Sequence, residues 1–82
     1  MSGKRILIVE DDADSASILE AYLRRDGFNV GLAENGQRGI DMPRRWKPAL
    51  ILLAVMLPLV GGTDVLAAVR RCSDTPVIMV TA

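Results

Sequence analysis

Four short apolar segments recur along the chain, separated by longer segments in which apolar and polar residues mix. Residues 6–9 are apolar without alternation and rich in β-branched side chains, which is typical of a strand buried on both faces of a parallel sheet. Further strands are predicted at 28–32, where apolar residues alternate with small or polar ones, and at 49–54 and 76–81. The strand at 49–54 is the most hydrophobic, so we expect it near the centre of the sheet.

The segments between these strands show helical spacing. A first helix is predicted over 14–26, because apolar residues recur on one face and two arginines precede Gly27, the expected C′ residue. A second helix is predicted over 37–46, and Pro43 within it leads us to expect a helix that is short, kinked or ended early. A third helix, with two arginines near its end, is predicted between the last two strands.

The resulting order βαβαβαβ determines the fold class. Connections long enough to hold helices predict an α/β domain with a parallel sheet, right-handed crossovers and helices packed on its faces. At 82 residues, we expect one small domain over 1–82 and no separate output domain.

Composition and charge exclude several classes of function. Half of the residues are hydrophobic and 24% are charged, a globular rather than a disordered composition. Ten basic residues balance ten acidic ones and histidine is absent, so neither nucleic-acid binding nor imidazole chemistry is expected. The longest apolar stretch, 49–60, contains Pro58 and is too short to span a membrane. Without a signal peptide either, we expect a cytoplasmic protein with no membrane partner.

Cys72 and Trp46 each have a structural and a functional interpretation. Cys72 is the only cysteine and cannot form an internal disulfide; we expect a half-buried residue at a helix end rather than a thiol activated by the neighbouring arginines. Trp46 is expected to cap the edge of the sheet rather than anchor a partner.

The carboxyl ends of the strands are where an open parallel sheet binds its ligands. Glu10, Asp11 and Asp12 follow the first strand, and Thr81 closes the fourth. Adjacent carboxylates suit a hard cation such as Mg²⁺, but acidic residues also cap the amides of a following helix and oppose its dipole. Spacing alone does not decide between these two interpretations.

Three motifs occur in order at the predicted strand ends: ILIVEDD at 6–12, LILLAVMLP at 50–58 followed by Gly62, and PVIMVTA at 76–82. Together they resemble the CheY-like receiver domain of two-component response regulators, above all the subfamily in which a winged-helix DNA-binding domain follows the receiver. The resemblance spans essentially the whole chain. It implies a flavodoxin-like parallel sheet, here with four strands in the order 2-1-3-4 and three helices.

The resemblance also implies a chemistry, in which a histidine kinase passes a phosphoryl group to an aspartate at the end of the third strand with the help of Mg²⁺. By position, Glu10 and Asp11 correspond to the metal-binding acidic pair, and the main-chain carbonyl of Met56 to a further ligand. Thr81 corresponds to the hydroxyl that senses the phosphoryl group. Because two carboxylates form a poor octahedral site, we expect weak Mg²⁺ binding at most and no required cofactor.

The departures from the family pattern centre on Ala54. It occupies the phosphoacceptor position and offers no nucleophilic oxygen, so we expect no phosphoryl transfer to this chain and no enzymatic activity. Ala49 and Gly61 stand where the family often has polar residues, Pro43 interrupts the second helix, and the sequence ends at 82, before the remainder of a receiver. An engineered or selected fragment explains these departures together, and an atypical natural receiver is the alternative.

A receiver truncated after its fourth strand would expose that strand as an edge. We expect Val77, Ile78, Met79 and Val80 to form the interface of a homo-oligomer, most simply a dimer, because the helix at 14–26 alone would cover one face of the sheet. A marginal monomer is the alternative. An atypical natural receiver would instead bind a kinase or output domain without phosphoryl transfer.

Overall fold

The computed structural model describes residues 3–81, which form a four-stranded parallel sheet with three helices. The elements in chain order are β1 (Arg5–Val9), α1 (Ala13–Arg25), β2 (Asn29–Ala33), α2 (Gly36–Trp46), β3 (Leu50–Ala54), α3 (Gly62–Cys72) and β4 (Val77–Val80). The strands lie in the order β2-β1-β3-β4, and every neighbouring pair is parallel. The predicted α/β class and strand order are therefore confirmed. Within the described part of the chain, no helix is both long and apolar enough to cross a membrane.

The main core lies between the sheet and the pair α2 and α3. Alternate residues of the two central strands point to this side and are fully buried, and α3 contributes Val65 and Val69. The buried strand residues on this face are Leu7, Val9, Ile51 and Leu53. Ile6 and Ile8 point to the opposite face, which α1 covers, and are equally buried. The unbroken apolar run of β1 thus reflects burial on both faces, as its sequence predicted.

α1 begins and ends with strong local signals. Asp12 is its N-cap, and the Asp12 side chain accepts a hydrogen bond from the backbone N–H of Ser15. Gly27 adopts a φ of 92° after the last turn, its N–H donates to Arg24 O, and Phe28 N–H donates to Leu23 O. This pair of bonds is a Schellman motif, whose left-handed residue is most easily a glycine. The predicted role of Gly27 is confirmed.

α2 continues through Pro43 and ends at Trp46, the predicted end of this helix. Of the effects expected from Pro43, an early end is therefore wrong. Proline removes one helical hydrogen bond donor and crowds the carbonyl four residues earlier, here that of Gly39. Packing keeps the helix in place, because Gly39 lies so close to β1 that a Cβ there would come 2.8 Å from a methyl carbon of Val9. The tertiary contact therefore overrides the local propensity.

Trp46 packs on the sheet, as its structural interpretation predicted. Its ring lies over Gly31 of β2, where a Cβ would come 3.0 Å from the ring. The Arg5 guanidinium sits 5.7 Å from the ring centroid and donates a 2.7 Å hydrogen bond to the Trp46 carbonyl. These contacts account for an aromatic residue at this position by packing alone.

The face covered by α1 is only half closed among the described residues. Ile78 of β4 is 53% exposed, whereas Ile8 of β1, on the same face, is 1% exposed. α1 itself leaves Ile18 and Tyr22 exposed. Among residues 3–81, no strand lies beyond β4 at this side of the sheet.

Cys72 corrects a prediction. It is the last residue of α3, as expected, but its side chain is exposed rather than half-buried. Cys72 follows Val65 and Val69 at helical spacing and so lies on the same side of α3, but at this last turn that side borders an open cleft shared with Ile40 and Pro43 of α2.

Candidate functional site

A cleft of about 470 Å³ lies at the carboxyl ends of β1, β3 and β4. It is where a parallel sheet is expected to bind a ligand. The structure brings all of the sequence-predicted site residues to this cleft: Glu10, Asp11, Ala54, Met56 and Thr81. Of the predicted interface residues, only Val80 also lines it.

The acidic residues after β1 differ in their hydrogen bonds. Asp12 is engaged by α1: its carboxylate accepts bonds from the Ser15 N–H at 3.0 Å and the Ser15 hydroxyl at 2.6 Å. These hydrogen bonds, first to the hydroxyl and then to the backbone, lower the pKa of Asp12 below its usual value. The helix-capping interpretation is therefore confirmed for Asp12.

Glu10 and Asp11 retain oxygens that can face a ligand. Glu10 is half-buried at the end of β1, and its carboxylate accepts a long 3.3 Å bond from the Asp12 N–H. Asp11 is exposed. Their role as a metal-binding pair stays a prediction.

The end of β3 supplies a methyl group where the cleft would need an oxygen. Ala54 is 8% exposed and belongs to the buried apolar cluster. Its neighbour Val55 donates to Val80 O at 3.1 Å and accepts from Gly62 N–H at 3.1 Å. The strand end is thereby fixed between β4 and α3.

Gly62 allows α3 to begin directly against this strand end. A Cβ at Gly62 would come 2.3 Å from the Ala54 carbonyl oxygen, so this close approach excludes any residue with a side chain. The residue before it, Gly61, is the N-cap and supplies no side-chain hydrogen bond to the helix. α3 is thus positioned by close backbone approach and by core packing rather than by capping.

The loop between β3 and α3 carries a feature that the sequence analysis missed. Leu59 has a φ of 65° and its side chain is fully exposed, and Met56 is 82% exposed. A leucine in the left-handed region is strained, because its Cβ crowds the following carbonyl. The only available signal was the loop composition, in which Pro58 and the two glycines indicate a tight turn without showing which residue turns left-handed.

The cleft also has an apolar wall that the sequence pattern did not reveal. Ile18 and Leu19 of α1 line it beside the acidic residues. Their spacing indicated a helix face, but the sequence could not show that Ile18 points into an open cleft rather than into the core.

The donor set fits a metal ion only partly. Among residues 3–81, no group of three or more His, Cys, Asp or Glu side chains is arranged to hold a metal. In the predicted site, Glu10 and Asp11 would supply carboxylates and Met56 a carbonyl, whereas Ala54 has no side-chain oxygen to offer at the end of β3. Mg²⁺ requires near-ideal octahedral geometry, so the site as it stands is incomplete for it.

The family model and the similar proteins both indicate response regulators. The model of the response regulator receiver domain matches residues 6–82. The chain is 39% identical over 79 residues to the DNA-binding response regulator MtrA of Mycobacterium tuberculosis and 42% identical over 78 residues to the transcriptional regulatory protein CpxR of Escherichia coli. These matches cover 96% and 95% of this chain but 35% and 33% of the regulators, so the chain spans about a third of their length.

A solved structure extends the comparison to the site. The receiver domain of the sensor histidine kinase PA1611 from Pseudomonas aeruginosa superposes with a TM-score of 0.90 at 28% identity, covering 95% of this chain and 66% of that one. That structure has a magnesium ion coordinated in its active-site cleft.

Proposed function

The chain belongs to the response regulator receiver domain family, and on that premise we propose that it accepts no phosphoryl group and acts by binding protein chains. The observation that carries the proposal is Ala54, which lines the same cleft as Glu10 and Asp11. Phosphoryl transfer needs an oxygen nucleophile in line with the leaving group. The methyl group of Ala54 cannot supply one, whether it arose by design or by natural sequence change.

The remaining site residues support weak cation binding at most. Glu10, Asp11 and the carbonyl of Met56 would be the ligands of Mg²⁺, which would neutralise charge in the cleft. Thr81, exposed at the mouth of the cleft, keeps the position of a phosphate-sensing hydroxyl. In this proposal neither function is required, and the chain is not an enzyme.

The binding activity that we propose is self-association through β4. Support comes from the four apolar residues of this edge strand, Val77, Ile78, Met79 and Val80, of which Ile78 is more than half exposed. An apolar edge without charged or proline residues is prone to pair with another strand. We propose a homodimer as the simplest assembly.

A second candidate is a contact with a histidine kinase or an output domain that does not depend on phosphorylation. Met56 and Leu59 favour it, because both are exposed apolar residues of the loop between β3 and α3, and Met56 lines the cleft. MtrA is named as a DNA-binding response regulator and CpxR as a transcriptional regulatory protein. We propose DNA binding only for a longer protein, since a net charge of zero gives this chain no overall electrostatic attraction to phosphates. A cytoplasmic location follows from the same family premise.

Phosphoryl uptake and solution mass test the two halves of the proposal. The chain is incubated with Mg²⁺ and acetyl phosphate, and separately with an autophosphorylated histidine kinase, with the receiver region of MtrA as a positive control. Intact-mass spectrometry is expected to show no phosphorylated chain. A phosphorylated fraction that rises with phosphodonor concentration would overturn the first half.

Light scattering after gel filtration, over a concentration series, measures the solution mass and so tests self-association. A folded dimer is expected. A folded monomer at every concentration would contradict self-association and move the proposal to the second candidate.

A further inference from the structure

A second cleft, of about 310 Å³, lies between the C-terminal ends of α2 and α3. The residues that line it fall between 40 and 75, on the two helix ends and on the connections that lead into β3 and β4. β4, the last element of the described chain, contributes no lining residue. The cleft is thus built within the chain, at the amino ends of the strands, and Glu10 and Asp11 lie at the opposite end of the sheet.

Five apolar residues form the less exposed part of this cleft. Pro48 and Val69 are buried, and Ile40, Pro43 and Ala68 are half-buried. Ala68 is the smallest of them, so its methyl group leaves space that a larger side chain at this position would fill. The volume lies at the lower end of the range for cavities that hold small organic molecules.

Two cations, Arg44 and Lys47, line the same cleft and are exposed. Its lining residues include no carboxylate, and neither cation takes part in the ion pairs found among residues 3–81. Cations near the end of a helix also interact favourably with its dipole. Arg45 has that role equally but does not line the cleft, so the two kinds of position can be compared.

A hydroxyl donor completes the polar part of the lining. Ser73 and Thr75 are half-buried, and their hydroxyls share one hydrogen bond. The Thr75 N–H also donates to Ser73 Oγ at 3.0 Å. A single bond between two hydroxyls uses only one of their two hydrogens, so one O–H is left to donate to a ligand.

Hydrogen bonds fix both walls of the cleft before a ligand arrives. Lys47 ends α2 with a φ of 50°, and its N–H donates to the Pro43 carbonyl at 3.1 Å. On the other wall, the Ser73 N–H donates to Val69 O at 2.9 Å, and the Arg70 guanidinium donates to Ser73 O at 3.2 Å. A cleft whose walls are already ordered has less conformational entropy to lose on binding.

We propose that this cleft binds a small organic anion whose apolar body lies between α2 and α3. The side chains of Arg44 and Lys47 and the spare hydroxyl hydrogen are all donors, so the ligand must supply the acceptors, and an anionic head group supplies them best. The site is separate from the cleft at the carboxyl ends of the strands. It depends neither on phosphoryl transfer nor on self-association.

Nitrobenzoate and its neutral analogue nitrobenzamide test the charge requirement. We expect nitrobenzoate to cause saturable changes in the amide NMR signals of residues 68–75, and nitrobenzamide to bind much more weakly. Arg44→Gln is expected to raise the dissociation constant of nitrobenzoate roughly threefold, since one exposed charge contributes modestly. The matched control Arg45→Gln makes the same charge change at the next residue, outside the cleft, and is expected to leave binding unchanged.

Filling the cleft tests its position. Ala68→Leu is expected to keep the circular dichroism spectrum and to abolish saturable binding. Cys72 gives a second measurement, because it lines the cleft and its side chain is exposed. Nitrobenzoate is expected to slow the alkylation of Cys72 by the neutral reagent iodoacetamide in the unsubstituted chain and not in Ala68→Leu.

Three results would overturn the inference. Equal binding of nitrobenzamide would show that the ligand need not be an anion. Equal weakening by Arg44→Gln and Arg45→Gln would show a general attraction of anions to the end of α2, and this comparison does not depend on how well Ala68→Leu folds. The absence of saturable binding to the unsubstituted chain would exclude the site altogether.

Discussion

The junctions β1–α1 and β3–α3 both lie at the carboxyl ends of the strands, but different interactions hold them in place. At β1–α1 two carboxylates accept hydrogen bonds from the backbone: Asp12 caps the helix, and Glu10 accepts a bond from the Asp12 N–H. At β3–α3 the strand ends in Ala54 and the helix starts at a glycine cap. The comparison shows that packing and close backbone approach can fix a strand–helix connection whose strand ends in an alanine and whose helix has no side-chain cap.

The largest expected effect comes from giving the β3–α3 junction a carboxylate. Ala54→Asp would bury a charge beside Glu10 and Asp11 without a cationic partner, and we expect it to lower the free energy of unfolding by about 3 kcal/mol at neutral pH. Ala54→Asn has nearly the same shape without the charge and is the control. Chemical denaturation followed by circular dichroism measures both variants.

Magnesium sharpens this test. Millimolar Mg²⁺ is expected to recover part of the lost stability of Ala54→Asp but none of that of Ala54→Asn, because only the aspartate completes a set of three carboxylates. Equal or higher stability of Ala54→Asp in the absence of the cation would contradict the idea that the alanine relieves charge repulsion here.

A smaller effect is expected from relieving strain in the β3–α3 loop. Leu59→Gly removes the Cβ that makes a φ of 65° unfavourable. Glycine also gives the unfolded chain more conformational freedom, which cancels part of this gain. We expect the free energy of unfolding to rise by a net amount of about 0.5–1 kcal/mol. The leucine side chain is fully exposed, so its loss removes no packing. Leu59→Ala keeps the Cβ, and an equal gain from it would show that strain is not the cause.

The smallest effect concerns Asp12, at the other junction. Its pKa is lowered in the folded state, so its carboxylate stabilises the fold above the unfolded pKa of about 3.9 and loses that contribution as the pH falls through the lower folded pKa. Asp12→Asn keeps a capping oxygen and does not titrate. The stability of the unsubstituted chain relative to this variant is expected to fall on acidification across that window, and a pH-independent difference would contradict the assignment.

The two junctions also show what the sequence could predict. The buried run of β1 and the glycine stop of α1 depend on local patterns that have a direct physical meaning, and both were predicted. The strand order was predicted from the resemblance to receiver domains and not from local patterns. The position of the site followed from the rule that ligands collect at the carboxyl ends of parallel strands. By contrast, the exposure of Cys72, the persistence of α2 beyond Pro43 and the left-handed Leu59 were missed or wrong. Each depends on contacts between segments distant in the chain or on one backbone angle, which composition and periodicity do not encode.

The packing of Trp46 on Gly31 provides the chain with a built-in optical reporter. Trp46 is the only tryptophan, and it reports on the contact between α2 and β2. β4 lies at the other edge of the sheet, three strand spacings or about 14 Å away. Tryptophan emission should therefore follow unfolding while remaining insensitive to events at β4, so that one sample can separate the loss of the fold from the loss of an assembly.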